Sequence, residues 1–142
     1  MAVVVLVSCV SRKLPHRARA RDLYTSALFQ YALQYAQRLS PDRICVLSAK
    51  YGLVQLDQEI EPYNVTLKDM SVRERKEWAR RVCQQMDRCC DLERDHFVIL
   101  AGEKYREYLL PHLKSYEIPL AGLSIGRQLQ FLKRTVSDEC RL

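Results

Sequence analysis

Three short apolar runs constrain this chain more than any other feature: "VVVLV" from Val3 to Val7, "ICVL" from Ile44 to Leu47 and "FVILA" from Phe97 to Ala101. None alternates between apolar and polar residues, so each reads as a strand covered on both faces. Strands of that kind need helices on both sides of their sheet, and the intervening sequence supplies them. From Ser26 to Leu39 the residues Phe29, Ala32, Leu33, Ala36 and Leu39 recur at helical spacing until Pro41 stops the pattern.

Ser71 followed three residues later by Glu74 is a capping box. The helix it opens would bury Arg75 by its stem, Trp78, Ala79, Val82 and Met86, and would expose Arg73, Lys76, Glu77, Arg80 and Arg81. Gly102 marks a strand-to-helix turn before the amphipathic segment Tyr105 to Leu110, which Pro111 limits. Glu117 to Leu120 reads as a fourth strand, and Pro119 puts it at a sheet edge. The stretch "LSIGRQLQFLKR" suits a last helix with Ile125, Leu129 and Leu132 on its apolar face. Between them, Lys50 to Asp69 shows no sustained period and reads as a long excursion over the sheet edge, of a length more often functional than idle. The order β-α-β-loop-α-β-α-β-α predicts one three-layer α/β domain over residues 1–142 with a mainly parallel sheet.

With 142 residues, 48% of them hydrophobic, the chain can bury the core of one such domain. Lys and Arg number 23 against 17 Asp and Glu, a net charge of +6 that favours a polyanionic partner, either nucleic acid or a phosphorylated ligand. No basic segment precedes the first apolar run and no apolar stretch reaches about 18 residues, so the expected setting is the cytoplasm, without a signal peptide or membrane contact. There the six cysteines are expected as thiols, and their spacing lacks the CxxC pairs of a zinc site. The glycines of a phosphate-binding or dinucleotide fingerprint are missing, so neither ATP nor NAD is indicated and no cofactor or metal is expected.

Ligands of parallel α/β sheets bind where loops leave the carboxyl ends of the strands. Three loops qualify: Ser8 to Thr25, Ala49 to Met70 and Gly102 to Tyr105. The first offers Ser8, Cys9, Ser11, Lys13, Arg21, Asp22 and Tyr24. Cys9 reads either as a nucleophile with a depressed pKa or as a small residue in a tight turn. Arg12, Arg17, Arg19 and Arg21 read equally as phosphate contacts or as a solvated loop. Lys50 follows the second strand where an anion would lie, and Gly102 lets backbone approach a ligand closely.

The segment "LSAKYGLVQLDQEIEPYNVTLKDM", Leu47 to Met70, carries a Tyr-Gly-Leu turn, an acidic residue and a Pro-Tyr pair followed by Met. It resembles the pattern of the YaaA family of peroxide-stress proteins. The whole chain is more similar still to a small bacterial and phage family of uncharacterised domains, through Ser8, Cys9 and Lys13, Leu23, Tyr24 and Ser26, Ser48 to Leu53, Pro62 and Tyr63, Gly102 and Tyr105, and Gly126, Gln128 and Leu129. The resemblance implies a uracil-DNA-glycosylase-like fold. The "EPYN" stretch, Glu61 to Asn64, is also loosely similar to the water-activating segment of those glycosylases, with Asn64 where they carry histidine. An N-glycosidase acting on DNA or a modified nucleotide is then expected. Asp22 or Glu61 would orient water or stabilise the sugar cation, Tyr63 would stack on the base, and Asn64 or Gln128 would read its edge. Ser8, Cys9, Lys13, Tyr24, Lys50 and Gly102 would complete the pocket. The alternatives are a non-catalytic nucleic-acid-binding or stress-response domain and a thiol enzyme built on Cys9.

Overall fold

The computed structural model describes residues 1–8 and 12–140, the side chains of 138–140 excepted. Its centre is a five-stranded, mostly parallel sheet flanked by helices. In chain order the elements are β1 (Val3–Ser8), β2 (Ala18–Arg19), α1 (Ala20–Leu23), α2 (Ala27–Arg38), β3 (Arg43–Ser48), β4 (Gly52–Gln55) and β5 (Glu59–Ile60), followed by α3 (Val72–Asp87), β6 (His96–Leu100), α4 (Glu103–Arg106), β7 (Ser115–Glu117) and α5 (Ile125–Cys140). The large sheet has the order β4-β3-β1-β6-β7, and β2 pairs with β5 as a separate ribbon. β1 runs parallel to both β3 and β6, β6 runs parallel to β7, and only β4 is antiparallel.

The apolar runs fill both faces of this sheet. Val4, Leu6, Cys45, Leu47, Phe97 and Ile99 pack beneath α3 and α4, against Trp78, Val82, Met86 and Tyr105. Their neighbours Val5, Val7, Val46, Val98 and Leu100 point the other way and pack beneath α2 and α5, against Phe29, Leu33, Ala36 and Leu132. Alternate residues of each strand therefore serve opposite layers, which is why no polar alternation is visible. No helix among the described residues is long and apolar enough to cross a membrane.

The capping signals act as expected. The Ser26 hydroxyl accepts from the Phe29 N–H, and Ser71 and Glu74 exchange both bonds of the capping box. α3 buries the expected stripe and adds Cys83. Arg75 is buried beyond its stem: its Nε donates to Glu107 Oε1 over 3.1 Å and its Nη1 to the Met70 carbonyl over 2.7 Å.

Four expectations change. The stretch expected as a long excursion over the sheet edge from Lys50 to Asp69 contains β4 and β5, because Leu53 and Val54 fold back as a hairpin arm on β3 and Ile60 is buried by the ribbon. The helix expected over Tyr105–Leu110 is one α turn followed by a 3₁₀ turn, Leu110–His112, with Pro111 inside it. The edge strand lies earlier, at Ser115–Glu117, and ends ahead of Pro119, whose ring cannot donate to a ladder. In α5, Ile125 is 67% exposed, and Leu132 and Val136 carry the buried stripe.

Candidate binding site at the carboxyl lip of the sheet

From β1 the chain moves through α2 to β3 on one side, and from β4 it returns through α3 to β6 on the other. The carboxyl ends of β1 and β6 are therefore the point where the winding reverses, the usual ligand position in such sheets. Ser8 ends β1, and its Oγ accepts from the Gly102 N–H over 3.4 Å. Gly102 is exposed, and a Cβ there would meet nothing within 4 Å, leaving the backbone open to a ligand. Cys9 lies outside the described residues.

Beside this point the Pro62-Tyr63 loop and the first loop converge. Tyr24 is fully buried after α1, its backbone bridged to Lys13 and its carbonyl accepting from Gln30 Nε2. The Tyr24 and Tyr63 hydroxyls are 2.6 Å apart, and the Tyr24 ring meets Tyr63 edge-on at 6.4 Å. Tyr63 is half-buried and packs against the cores on both faces of the sheet, which places it across the end of the strands. The Lys13 ammonium stands 4.4 Å from the Tyr63 ring centroid and 5.8 Å from that of Tyr24. Each such cation–ring contact is worth about 0.5–1 kcal/mol at an accessible site.

Tyr51, to which the sequence reading assigned no role, completes the cluster. Its ring is edge-on to Tyr63 at 5.7 Å, the Lys50 ammonium lies 5.2 Å from its centroid, and its hydroxyl donates to the Glu61 carbonyl over 3.5 Å. The turn that aims it is held from three sides. Ser48 Oγ accepts from the Tyr51 N–H, Gln85 Nε2 donates to the Tyr51 carbonyl, and Trp78 Nε1 donates to the Ser48 carbonyl over 2.9 Å. Gly52, at φ +76°, closes the turn against Gln85, whose Oε1 accepts from the Leu53 N–H. Its place in the Tyr51-Gly52 turn was the only local signal of this role.

The structure thus gathers Lys13, Tyr24, Tyr63 and Lys50, with Tyr51, and joins Ser8 to Gly102. The two expected carboxylates, Asp22 and Glu61, are both at the surface. Asp22 is exposed on α1 and makes no ion pair among the described residues. Glu61 is exposed and lies 3.7 Å from Arg17 Nη1. Asn64 is exposed, and the Gln128 amide donates to the Leu123 carbonyl at the start of α5. Three of the four arginines of the basic loop also have carboxylate partners: Arg17 faces Glu59 and Glu61, while Arg19 and Arg21 face Asp57, Arg21 at 2.9 Å. These pairs link the loop to the β2–β5 ribbon at the surface, where the Arg17 and Arg19 side chains stay 58% and 61% exposed.

The resolved pKa shifts lie away from this lip. Burial, with Cys89 adding to it, pushes the Cys45 thiol up to about 12, and burial pushes Cys83 up to about 11. Burial and the Cys89 thiol 3.6 Å away raise Cys90 as well. These thiols are held neutral, the opposite of an activated nucleophile. Backbone N–H groups of Asp91 and Ala2 hold the Asp95 carboxyl below its usual range, and the Ser71 N–H and hydroxyl do the same for Glu74. Among the described residues no group of three or more His, Cys, Asp or Glu is placed to hold a metal ion.

A mostly parallel sheet wound in both directions from a central first strand, with helices on both faces, places the protein among the α/β domains whose strand order reverses at a switch point. Within that class, the chain belongs to a family of unknown function, DUF6884, whose model matches residues 4–134. No curated protein and no solved structure matches the chain.

Proposed function

We propose that this protein binds a nucleotide, free or as a unit of a nucleic-acid strand, at the lip formed by Lys13, Lys50, Tyr51 and Tyr63. One observation carries the reading: the Lys13 ammonium, 4.4 Å from the centre of a half-exposed tyrosine ring, joins a stacking surface to a positive charge. A base would take the ring from the ammonium, which on its flexible stem would then turn to the phosphate. Tyr24, fixed by burial, would hold the Tyr63 hydroxyl and so the tilt of the platform. The net charge of +6 and the resemblance to glycosylase-like and stress-response domains support the same ligand class.

Binding is favoured over N-glycosidic hydrolysis because hydrolysis needs a carboxylate beside the sugar. Asp22 is exposed and Glu61 is engaged with Arg17. Calorimetric titration with the common nucleoside 5′-monophosphates tests the proposal. Wild type is expected to bind, Tyr63→Ala to lose about 5- to 150-fold in affinity, corresponding to roughly 1–3 kcal/mol of stacking, and Tyr63→Phe to keep most of it. Equal affinity in wild type and Tyr63→Ala would remove the platform. Release of free base from DNA carrying modified bases would move the reading to hydrolysis.

A further inference from the structure

The outward face of α3 continues the lip. An open groove of about 630 Å³ runs beside the carboxyl end of β3, lined in part by Lys50, Val65, Trp78, Arg80 and Arg81. A second groove of about 600 Å³, lined by Val72, Arg73, Lys76, Glu77 and Arg80, extends it toward the start of the helix. The two share Glu77 and Arg80, so they form one surface along α3. Both carboxylates nearest to it are engaged: Glu74 closes the capping box, and Glu77 lies 3.8 Å from Arg73. Lys76, Arg80 and Lys50 leave the face positive. Arg81 Nη2 donates to the Lys50 carbonyl over 3.0 Å, tying the helix to the residue whose ammonium sits over Tyr51.

We infer that this face is a track for the backbone of a single-stranded nucleic acid, which delivers one unpaired base to Tyr51 and Tyr63. The inference rests on the nucleotide-binding reading of the lip and names its substrate class. Arg73 to Arg80 spans about 10 Å along the helix axis. That is room for about two successive phosphates of one strand, the number of contacts that Lys76 and Arg80 would make. A single strand is chosen over a duplex because the tyrosine platform needs a base with a free face.

The test measures fluorescence anisotropy of a fluorescein-labelled single-stranded DNA of roughly twelve nucleotides at several salt concentrations. The double variant Lys76→Glu/Arg80→Glu changes two exposed positions of α3, and Arg134→Glu changes an exposed position of α5 in the opposite helical layer. The double variant is expected to bind the strand at least tenfold more weakly, with a slope of log affinity against log salt shallower by about 1.4 for two lost phosphate contacts. Its melting temperature and its affinity for nucleoside monophosphates should match wild type, and Arg134→Glu should bind the strand as wild type does. Unchanged strand affinity in the double variant, or an equal loss in Arg134→Glu, would overturn the track. Equally tight binding of the duplex, or equal competition by polyglutamate, would overturn the choice of a single strand. A strand bound through α3 by a protein that binds no mononucleotide would sink the lip reading and leave the track standing, so the two failures are distinguishable.

Discussion

The hydroxyls of Tyr24 and Tyr63, 39 residues apart in the chain, meet at 2.6 Å. Tyr24 has no exposed surface, whereas Tyr63 is half-buried and reaches the cores on both faces of the sheet. The bond thus transmits the rigidity of the α2 layer to a ring at the protein surface. Tyr24→Phe should lower stability in urea by about 0.5–1.5 kcal/mol, because the Tyr63 hydroxyl can turn to water. Nucleotide affinity should be mostly kept, as in Tyr63→Phe, because both variants lose the same bond and leave the Tyr63 ring in place.

Gly52 is the position where the turn beneath Tyr51 depends on the absence of a side chain. Its φ of +76° lies in the left-handed region, and a Cβ would collide with Gln85 Oε1, the acceptor for Leu53 N–H. Gly52→Ala should therefore cost more than about 2 kcal/mol, the strain of roughly 1–2 kcal/mol being joined by the loss of that anchor. Gly122, at φ +78° with open space around it, isolates the strain alone. Gly122→Ala should cost about 1–2 kcal/mol and leave ligand binding unchanged.

Arg75 holds the far end of the Pro62-Tyr63 loop through the Met70 carbonyl and pairs with Glu107, their side chains being 10% and 26% exposed. Glu107→Ala leaves a guanidinium largely buried without its counter-charge and should cost about 3 kcal/mol in denaturant unfolding. Glu107→Gln keeps an acceptor for Arg75 Nε and should cost less. A result in which both variants lose the same amount would mean that charge, and not the hydrogen bond, dominates.

Cys45 supplies a pH signature. Its thiol is pushed from 9.0 to about 12, chiefly by burial, so above pH 9 the unfolded chain releases a proton that the folded chain keeps. Stability then falls as pH rises from about 9 toward 12, with no contribution from this group below that range. Denaturant unfolding between pH 8 and 11 under reducing conditions should show the decline. In Cys45→Ala the decline should be shallower by up to about 1.4 kcal/mol per pH unit.

The parts of the fold legible in the sequence are those whose cause is local or periodic. Continuous apolar runs such as Val3–Val7 announce strands covered on both faces, and Ser71 with Glu74 announces a helix start within four residues. β4 and β5 escape such a reading because Leu53, Val54 and Ile60 are too few to set a period, and their partners are strands elsewhere in the chain. The arginines of the first loop look free in sequence, yet Asp57, Glu59 and Glu61 reach them across about 40 residues of chain. At the lip, Lys13, Tyr24, Lys50 and Tyr63 were legible as loop residues at strand ends. Tyr51 was not, because its aim depends on three hydrogen bonds to the turn from Ser48, Trp78 and Gln85.

The central claim is that the carboxyl lip of the sheet is the binding site. Amide chemical shifts of the labelled protein, titrated with nucleoside monophosphates and then with the single-stranded oligonucleotide, test it directly. The account predicts mononucleotide-induced changes at Lys13, Tyr24, Lys50, Tyr51, Tyr63 and Gly102, with Lys76 and Arg80 joining only when the strand is added. Changes centred on Asp95, His96 and Ser115, at the opposite end of the strands, or no changes with either ligand, would contradict it.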